Sequence, residues 1–239
     1  MYLKDILTVK QKKYQKVNIN KICFDTRKLK KGDIFFAIEG KKTSGLKFIK
    51  IAISKGASAI VVNKKTKLKI FNNIILKVDN VRKSLSEACS KFYKNKPSNI
   101  IAVTGTNGKS SVADFFYQIL TLNNIKVASI GTLGIISKKY KKKTNLTSID
   151  PLSLHQNLTI LKNKKIKNVI LEASSIGLDQ NRLDGLSFKQ GIFTNLSHDH
   201  LDYHKNMKDY FSSKMYLFSN LLKKNSLVIT DEDNQEFKS

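Results

Sequence analysis

Two short stretches hold the side chains best suited to chemistry. In NLSHDHLDYH (Asn195–His204), His198, His200 and His204 interleave with Asp199 and Asp202. Imidazoles and carboxylates this close together can hold a metal ion or pass protons as general acid and base. The run nearly matches H-x-H-x-D-H, a zinc-binding pattern of hydrolases, but its third histidine arrives one residue late. A zinc cage also needs more ligands. No histidine follows His204, the remaining one is His155, and neither Cys23 nor Cys89 is nearby in sequence.

The second stretch is NIIAVTGTNGKSS, Asn99–Ser111. A glycine-rich turn between an apolar strand and an amphipathic helix is the setting a phosphate loop requires. The N–H groups of such a turn (Gly105, Thr106, Asn107, Gly108, Lys109, Ser110 and Ser111) converge with the helix N-terminus on one spot and favour an anion there. Lys109 would reach β- and γ-phosphates, and the Ser110 hydroxyl would ligand Mg²⁺. The strict G-x-x-x-x-G-K-[ST] pattern wants glycine at 103, where Val103 stands, so the match is to a shorter T-G-T-N-G-K-S form.

Two single residues join these stretches. Glu172 closes the apolar run NVILE, at the carboxyl end of an expected parallel strand, where open α/β sheets place their ligands. Helical spacing over Asn206–Leu222 puts Met207, Phe211, Met215, Phe218 and Leu221 on one face, with Lys214 amid them. Lys214 either snorkels its ammonium into water or sits buried beside something that needs it.

These residues need a scaffold, and the pattern supplies one. Strand-like runs at DIFFAIEG, SAIVV and NIILKV alternate with helical LKFIKIAISKG and VRKSLSEACSKFYKN. After a break at Pro97, strands at NIIAVTG, KVASIG, NVILEAS, GIFTNL and SLVIT alternate with helices over 110–124, 151–164 and 206–222. Alternation at these lengths predicts α/β domains with mainly parallel sheets. The expected division is 1–96 and 97–239.

The net charge of +26 suggests a nucleic-acid binder with steep salt dependence. Only Arg27, Arg82 and Arg182 are arginine, however, and the lysines are spread along the chain, so no nucleic-acid partner is expected. KKYKKK, Lys138–Lys143, reads as a solvated loop. No apolar run approaches the roughly 18 residues needed to cross a bilayer, and the N-terminus has no signal-peptide pattern. The expectation is a cytoplasmic protein with reduced cysteines and no membrane partner.

TGTNGKSS resembles the ATP loop of the Mur ligases and the related folylpolyglutamate synthases. LEASSIGLDQNRLDG, FTNLSHDHLDYHKNMKDYFSSK and FDTRKLKKGDIFFAIEGKKTSG narrow this to the Mur branch that adds the third residue to UDP-N-acetylmuramoyl-L-alanyl-D-glutamate. The resemblance implies a uridine-nucleotide-binding N-terminal domain followed by a phosphate-loop ATPase domain with a mainly parallel sheet. It also implies ATP-dependent amide formation through an acyl phosphate in peptidoglycan synthesis, with ATP and Mg²⁺ as cofactors. A UDP-N-acetylmuramoyl-dipeptide and a diamino acid, meso-diaminopimelate or L-lysine, would be the substrates.

By the same resemblance Ser110, Glu172, His200 and a carbamylated Lys214 would hold Mg²⁺, with Lys109 the catalytic cation and His204 ordering its loop. Phe24, Thr26, Lys41, Lys42 and Thr43 would meet the uridine end. Thr147, Ser148, Ser174, Gln180 and Arg182 would meet the muramoyl peptide. Ligases of this type carry three domains, which makes this chain an N-terminal fragment, inactive alone and leaving room for a separately encoded C-terminal piece. The alternative is a binding or regulatory module without ligase activity.

Overall fold

A computed structural model describes residues 1–40, 43–67 and 73–231. The chain divides into two compact units, Met1–Phe92 and Tyr93–Ser239. The division falls a few residues before Pro97 because Tyr93 and Asn95 are tied to a helix of the second unit. Gln156 donates to the Tyr93 hydroxyl at 3.0 Å, and Asn95 donates to Asn163 at 2.7 Å.

The first unit opens with two short helices, α1 (Leu3–Ile6) and α2 (Lys12–Gln15). There follow β1 (Ile22–Cys23), β2 (Ile34–Phe36), α3 (Ile49–Ser54), β3 (Ala59–Asn63), β4 (Ile75–Val78) and α4 (Val81–Phe92). Its sheet runs β1-β2-β3-β4, parallel throughout. Ile34, Phe35 and Phe36 are all buried, as expected of a parallel strand covered on both faces. The strand expected through Gly40 stops at Phe36, where the chain turns so that Gly45 donates to Ile38 O at 2.8 Å.

The second unit contains β5 (Asn99–Thr104), α5 (Lys109–Leu122), β6 (Val127–Gly131), β7 (Gly134–Ser137), β8 (Tyr140–Lys142) and α6 (Pro151–Asn163). It continues with β9 (Asn168–Glu172), α7 (Ser175–Asp179), β10 (Phe188–Phe193), α8 (Met207–Tyr216) and β11 (Leu222–Ile229). The sheet order is β11-β10-β5-β9-β6-β7-β8, parallel from β11 to β6 and antiparallel at its last two pairs.

Side chains alternate between faces along β5. Ile100 and Ala102 join Leu154, Leu158 and Leu161 of α6 in one core, while Ile101 and Val103 meet Ala113 of α5 in another. Pro151 opens α6 and the Asp150 carboxylate caps it, accepting from Ser153 N at 2.9 Å.

Two expectations need correction. Lys138–Lys143 is not a plain loop: Tyr140–Lys142 forms the edge strand β8, paired to β7 across a two-residue turn. Lysine on an edge strand discourages pairing with another chain. The helix expected to Leu222 ends at Tyr216; a wider π turn follows, and β11 starts at Leu222 rather than Ser226. The fully buried face of α8 and that turn is Tyr210, Ser213, Lys214, Leu217 and Leu221; Met207, Phe211, Met215 and Phe218 are only partly buried. The face is rotated because the neighbouring loop supplies polar partners for Tyr210 and Lys214.

Candidate nucleotide and substrate site

The loops that follow β5, β6, β9 and β10 bring the candidate residues of the second unit to the carboxyl ends of four adjacent parallel strands. This is where an open α/β sheet offers a crevice.

The Gly105–Gly108 loop turns through two left-handed residues, Gly105 (φ 142°) and Gly108 (φ 81°). A Cβ on Gly105 would lie 1.9 Å from Thr194 Oγ1, so only glycine fits this close approach. The segment after β10 straps the loop from outside. Asn195 Oδ1 accepts from Asn107 N at 2.9 Å, Asn195 O accepts from Thr106 N at 2.8 Å, and Thr194 Oγ1 donates to Asn107 O at 2.6 Å. Ser197 N donates to Thr106 Oγ1 at 3.0 Å.

Lys109 folds back over the loop, its Nζ donating to Gly105 O at 2.9 Å and Thr106 O at 2.7 Å. Burial pushes its pKa down, while the Glu172 and Asp199 carboxylates pull it up. Ser110 faces the crevice and Ser111 the solvent, both in the first turn of α5.

Glu172 is buried at the end of β9 and fully engaged. Its carboxylate accepts from Ser110 Oγ at 2.9 Å, Thr132 N at 2.9 Å and Thr132 Oγ1 at 3.1 Å. Gly131 leaves it room: a Cβ there would fall 2.0 Å from Glu172 Oε1. Ser110, Thr132 and Glu172 thus gather hard oxygen donors beside the phosphate loop, a set suited to Mg²⁺.

Lys214 does not snorkel. It is 1% exposed, donates to Gly105 O at 2.7 Å, and lies 4.2 Å from the centre of the Tyr210 ring. Burial and, second, the Lys109 charge push its pKa down to about 7. Tyr210 is itself buried, with its hydroxyl 3.0 Å from Thr106 Oγ1.

The three clustered histidines diverge, and His198 is simply exposed. His204 is buried between Ser175 Oγ at 3.1 Å and Ser213 Oγ at 3.4 Å, and burial lowers its pKa. His200 is exposed with φ 53°, its Nε2 3.6 Å from Asp199 and its ring 6.3 Å from that of Tyr210. Among the described residues no group of three or more His, Cys, Asp or Glu side chains is placed to hold a metal. The structure therefore brings Ser110 to Glu172 and Lys214 to the phosphate loop, and leaves His200 at the rim.

Beside Glu172 lies a second cluster. Ser148 Oγ donates to Glu172 O at 3.0 Å and accepts from Ser174 N at 2.9 Å. Arg182 donates through Nη1 to Ser148 O at 2.6 Å, and through Nε and Nη2 to Gln180 Oε1 at 3.1 and 2.7 Å. Thr147 Oγ1 is 3.0 Å from Thr132 Oγ1. Ser148, Ser174, Gln180 and Arg182 are therefore contiguous, and Thr147 reaches the Glu172 group through Thr132. Sequence reading missed Thr132, Tyr203 and Tyr210. The only sequence signal for Tyr210 was its place one helical turn before Lys214.

In the first unit Thr26 is buried and its carbonyl accepts from Lys55 Nζ at 2.7 Å; Phe24 is half-buried two residues before it. Arg27 grips Asp25 through both carboxylate oxygens, which lowers the Asp25 pKa. Thr43 closes a turn in which Gly40 N donates to its carbonyl at 3.0 Å. Lys41 and Lys42 lie outside the described residues.

The chain is 40% identical to the UDP-N-acetylmuramoyl-L-alanyl-D-glutamate–2,6-diaminopimelate ligase of Rhizobium meliloti over 92% of its own length and 45% of that protein. The ligase of the same name from Rickettsia rickettsii is 38% identical, over 94% of this chain and 47% of that one. The chain thus spans about half the length of the curated relatives it matches.

A solved structure of a UDP-N-acetylmuramoyl-L-alanyl-D-glutamate–2,6-diaminopimelate ligase superposes with a TM-score of 0.84 at 27% identity, covering 100% of this chain and 48% of that one. A Thermotoga maritima MurF ligase in complex with ADP shares the fold, with a TM-score of 0.60 at 20% identity over 93% of this chain and 47% of that one. Residues 18–93 match the Mur ligase family catalytic domain, and residues 103–239 match the Mur ligase middle domain. The second match alone takes in more than half of the 239 residues, and the chain belongs to the Mur ligase family.

Proposed function

We propose that this chain supplies the ATP site and the UDP-substrate site of a ligase adding the third amino acid, meso-diaminopimelate or L-lysine, to UDP-N-acetylmuramoyl-L-alanyl-D-glutamate. The observation that carries the reading is the single crevice in which the phosphate loop, the Ser110–Glu172 pair and the Arg182 cluster adjoin.

The D-glutamyl carboxylate attacks the γ-phosphorus of ATP, forming an acyl phosphate and releasing ADP. The amino group of the incoming amino acid then displaces inorganic phosphate and loses a proton as the amide forms. Arg182 suits a substrate carboxylate or phosphate, to which guanidinium can donate two parallel bonds. Lys109 leaves its loop carbonyls for the phosphates and offsets charge on the transferring group. Ser110, Glu172, His200 and Lys214 would hold Mg²⁺, which supplies charge neutralisation at the phosphates. Lys214 serves there as a carbamate: its neutral amine adds to CO₂, forming an N–C bond and releasing one proton. A pKa near 7 keeps enough neutral amine for that addition at physiological pH. Phe24, Thr26 and the 41–43 segment take the uridine end.

The chain spans about half the length of the relatives it matches, so the binding step is the part of the proposal that these residues test directly. Calorimetric titration with UDP-N-acetylmuramoyl-L-alanyl-D-glutamate tests the site: saturable binding is expected, lost in Arg182→Ala. No binding by the folded chain would overturn the substrate assignment.

A further inference from the structure

The histidine loop touches the Arg182 cluster through Tyr203. Its hydroxyl donates to Asp179 Oδ2 at 2.7 Å and accepts from Gln180 Nε2 at 3.1 Å. That second bond determines which way the Gln180 amide faces. With its NH₂ committed to the phenol, its oxygen must point to Arg182, and it accepts from both Nε and Nη2. The result is a chain of one polarity, guanidinium to amide oxygen, amide nitrogen to phenol, phenol to carboxylate. An amide flipped end for end would set its NH₂ against the guanidinium, donor against donor.

Tyr203 is well anchored for this task. Its ring packs at 4.9 Å and 70° against that of His204, which is held between α7 and α8 by Ser175 and Ser213. At the far end of the chain Arg182 holds Ser148 O, and Ser148 also binds the Glu172 carbonyl and Ser174. The guanidinium plane is thus set from two sides, by Ser148 next to the phosphate site and by Tyr203 on the histidine loop.

We infer that Tyr203 is a positioning residue for anionic-substrate binding, orienting Arg182 through the Gln180 amide. This rests on the proposed role of Arg182, and it joins two loops that the family resemblance treats separately. A network whose members act as a unit loses more than one bond when any member is removed.

Binding of two probes by calorimetry, UDP-N-acetylmuramoyl-L-alanyl-D-glutamate and ADP, tests the inference in the full chain. Tyr203→Phe keeps the ring against His204 and removes only the hydroxyl. The UDP-linked probe should bind about tenfold more weakly, with ADP affinity unchanged. Asp179→Ala should give the same selective loss, and Asp179→Asn, which keeps an acceptor oxygen, should restore most of it. Wild-type affinity for the UDP-linked probe in Tyr203→Phe, alongside its loss in Arg182→Ala, would overturn the inference while leaving the substrate reading intact. Wild-type affinity in Arg182→Ala would overturn both. Equal weakening of both probes in Tyr203→Phe would mark a merely structural role and also overturn it.

Discussion

His155 should set the acid stability of the second unit. It lies on the buried face of α6, fully inaccessible, and neither ring nitrogen has a hydrogen-bond partner among the described residues. Burial, with the nearby Lys96 charge, pushes its pKa from 6.5 down to about 3. In the unfolded chain the imidazole takes up a proton below pH 6.5, whereas in the folded chain it stays neutral until about pH 3. Between these values the unfolded state binds more protons, so stability rises with pH and is lost on acidification. From pH 7.5 to pH 5 the loss from this one residue is about 2 kcal/mol. His155→Leu abolishes the titration and fills a similar volume. Urea denaturation of both proteins at the two pH values, followed by circular dichroism, isolates the effect, because every other titrating group is common to both. The variant should gain about 2 kcal/mol on wild type as the pH falls, a midpoint difference of roughly 1 M urea. A difference that stays constant between pH 7.5 and pH 5 would refute a neutral, desolvated His155.

Two further outcomes probe the phosphate end of the site. Gly131→Ala places a methyl on the Glu172 carboxylate and should cost about 1–3 kcal/mol of stability, with weaker Mg²⁺-dependent ADP binding; an unaffected variant would mean that Glu172 is free to move. Lys214 should form a carbamate with ¹³C-bicarbonate at pH 8, because its pKa near 7 leaves it largely neutral there. A carbamate carbon resonance present in wild type and missing in Lys214→Ala would confirm this, and one of equal intensity in both would refute it.

Much of this architecture can be read from short-range pattern. The phosphate loop is a local motif, and the parallel strands declare themselves as apolar runs because both of their faces are covered. The place of Glu172 at the end of β9 is legible because a strand end is a sequence feature. What escaped depends on distant neighbours. The edge strand β8 reads as solvated because lysine, which protects an edge, also fills loops. The face of α8 was assigned by hydrophobicity, which turns Lys214 inward but leaves out Tyr210; their partners Gly105 and Thr106 lie about a hundred residues away. Thr132 and Tyr203 are ordinary residues until the fold sets them against Glu172 and Gln180. Residues 138–143 and Tyr210 make the same point from opposite sides: composition reports the solvent a side chain prefers, and the fold decides what replaces it.

The strap across the phosphate loop has a consequence for how the protein comes into being. The loop is among the shortest motifs in the chain, yet its shape rests on bonds spanning 87 residues to Thr194 and 109 residues to Lys214. Contacts this distant in sequence form only after the intervening entropy of closure has been overcome. During synthesis β5 and α5 leave the ribosome long before β10 and α8, so a nascent chain carries the complete nucleotide motif without its clasp. On the proposed function a nucleotide meets the finished loop only once Lys214 has emerged, and a loop transplanted without its strap would carry the letters of the motif but not its conformation.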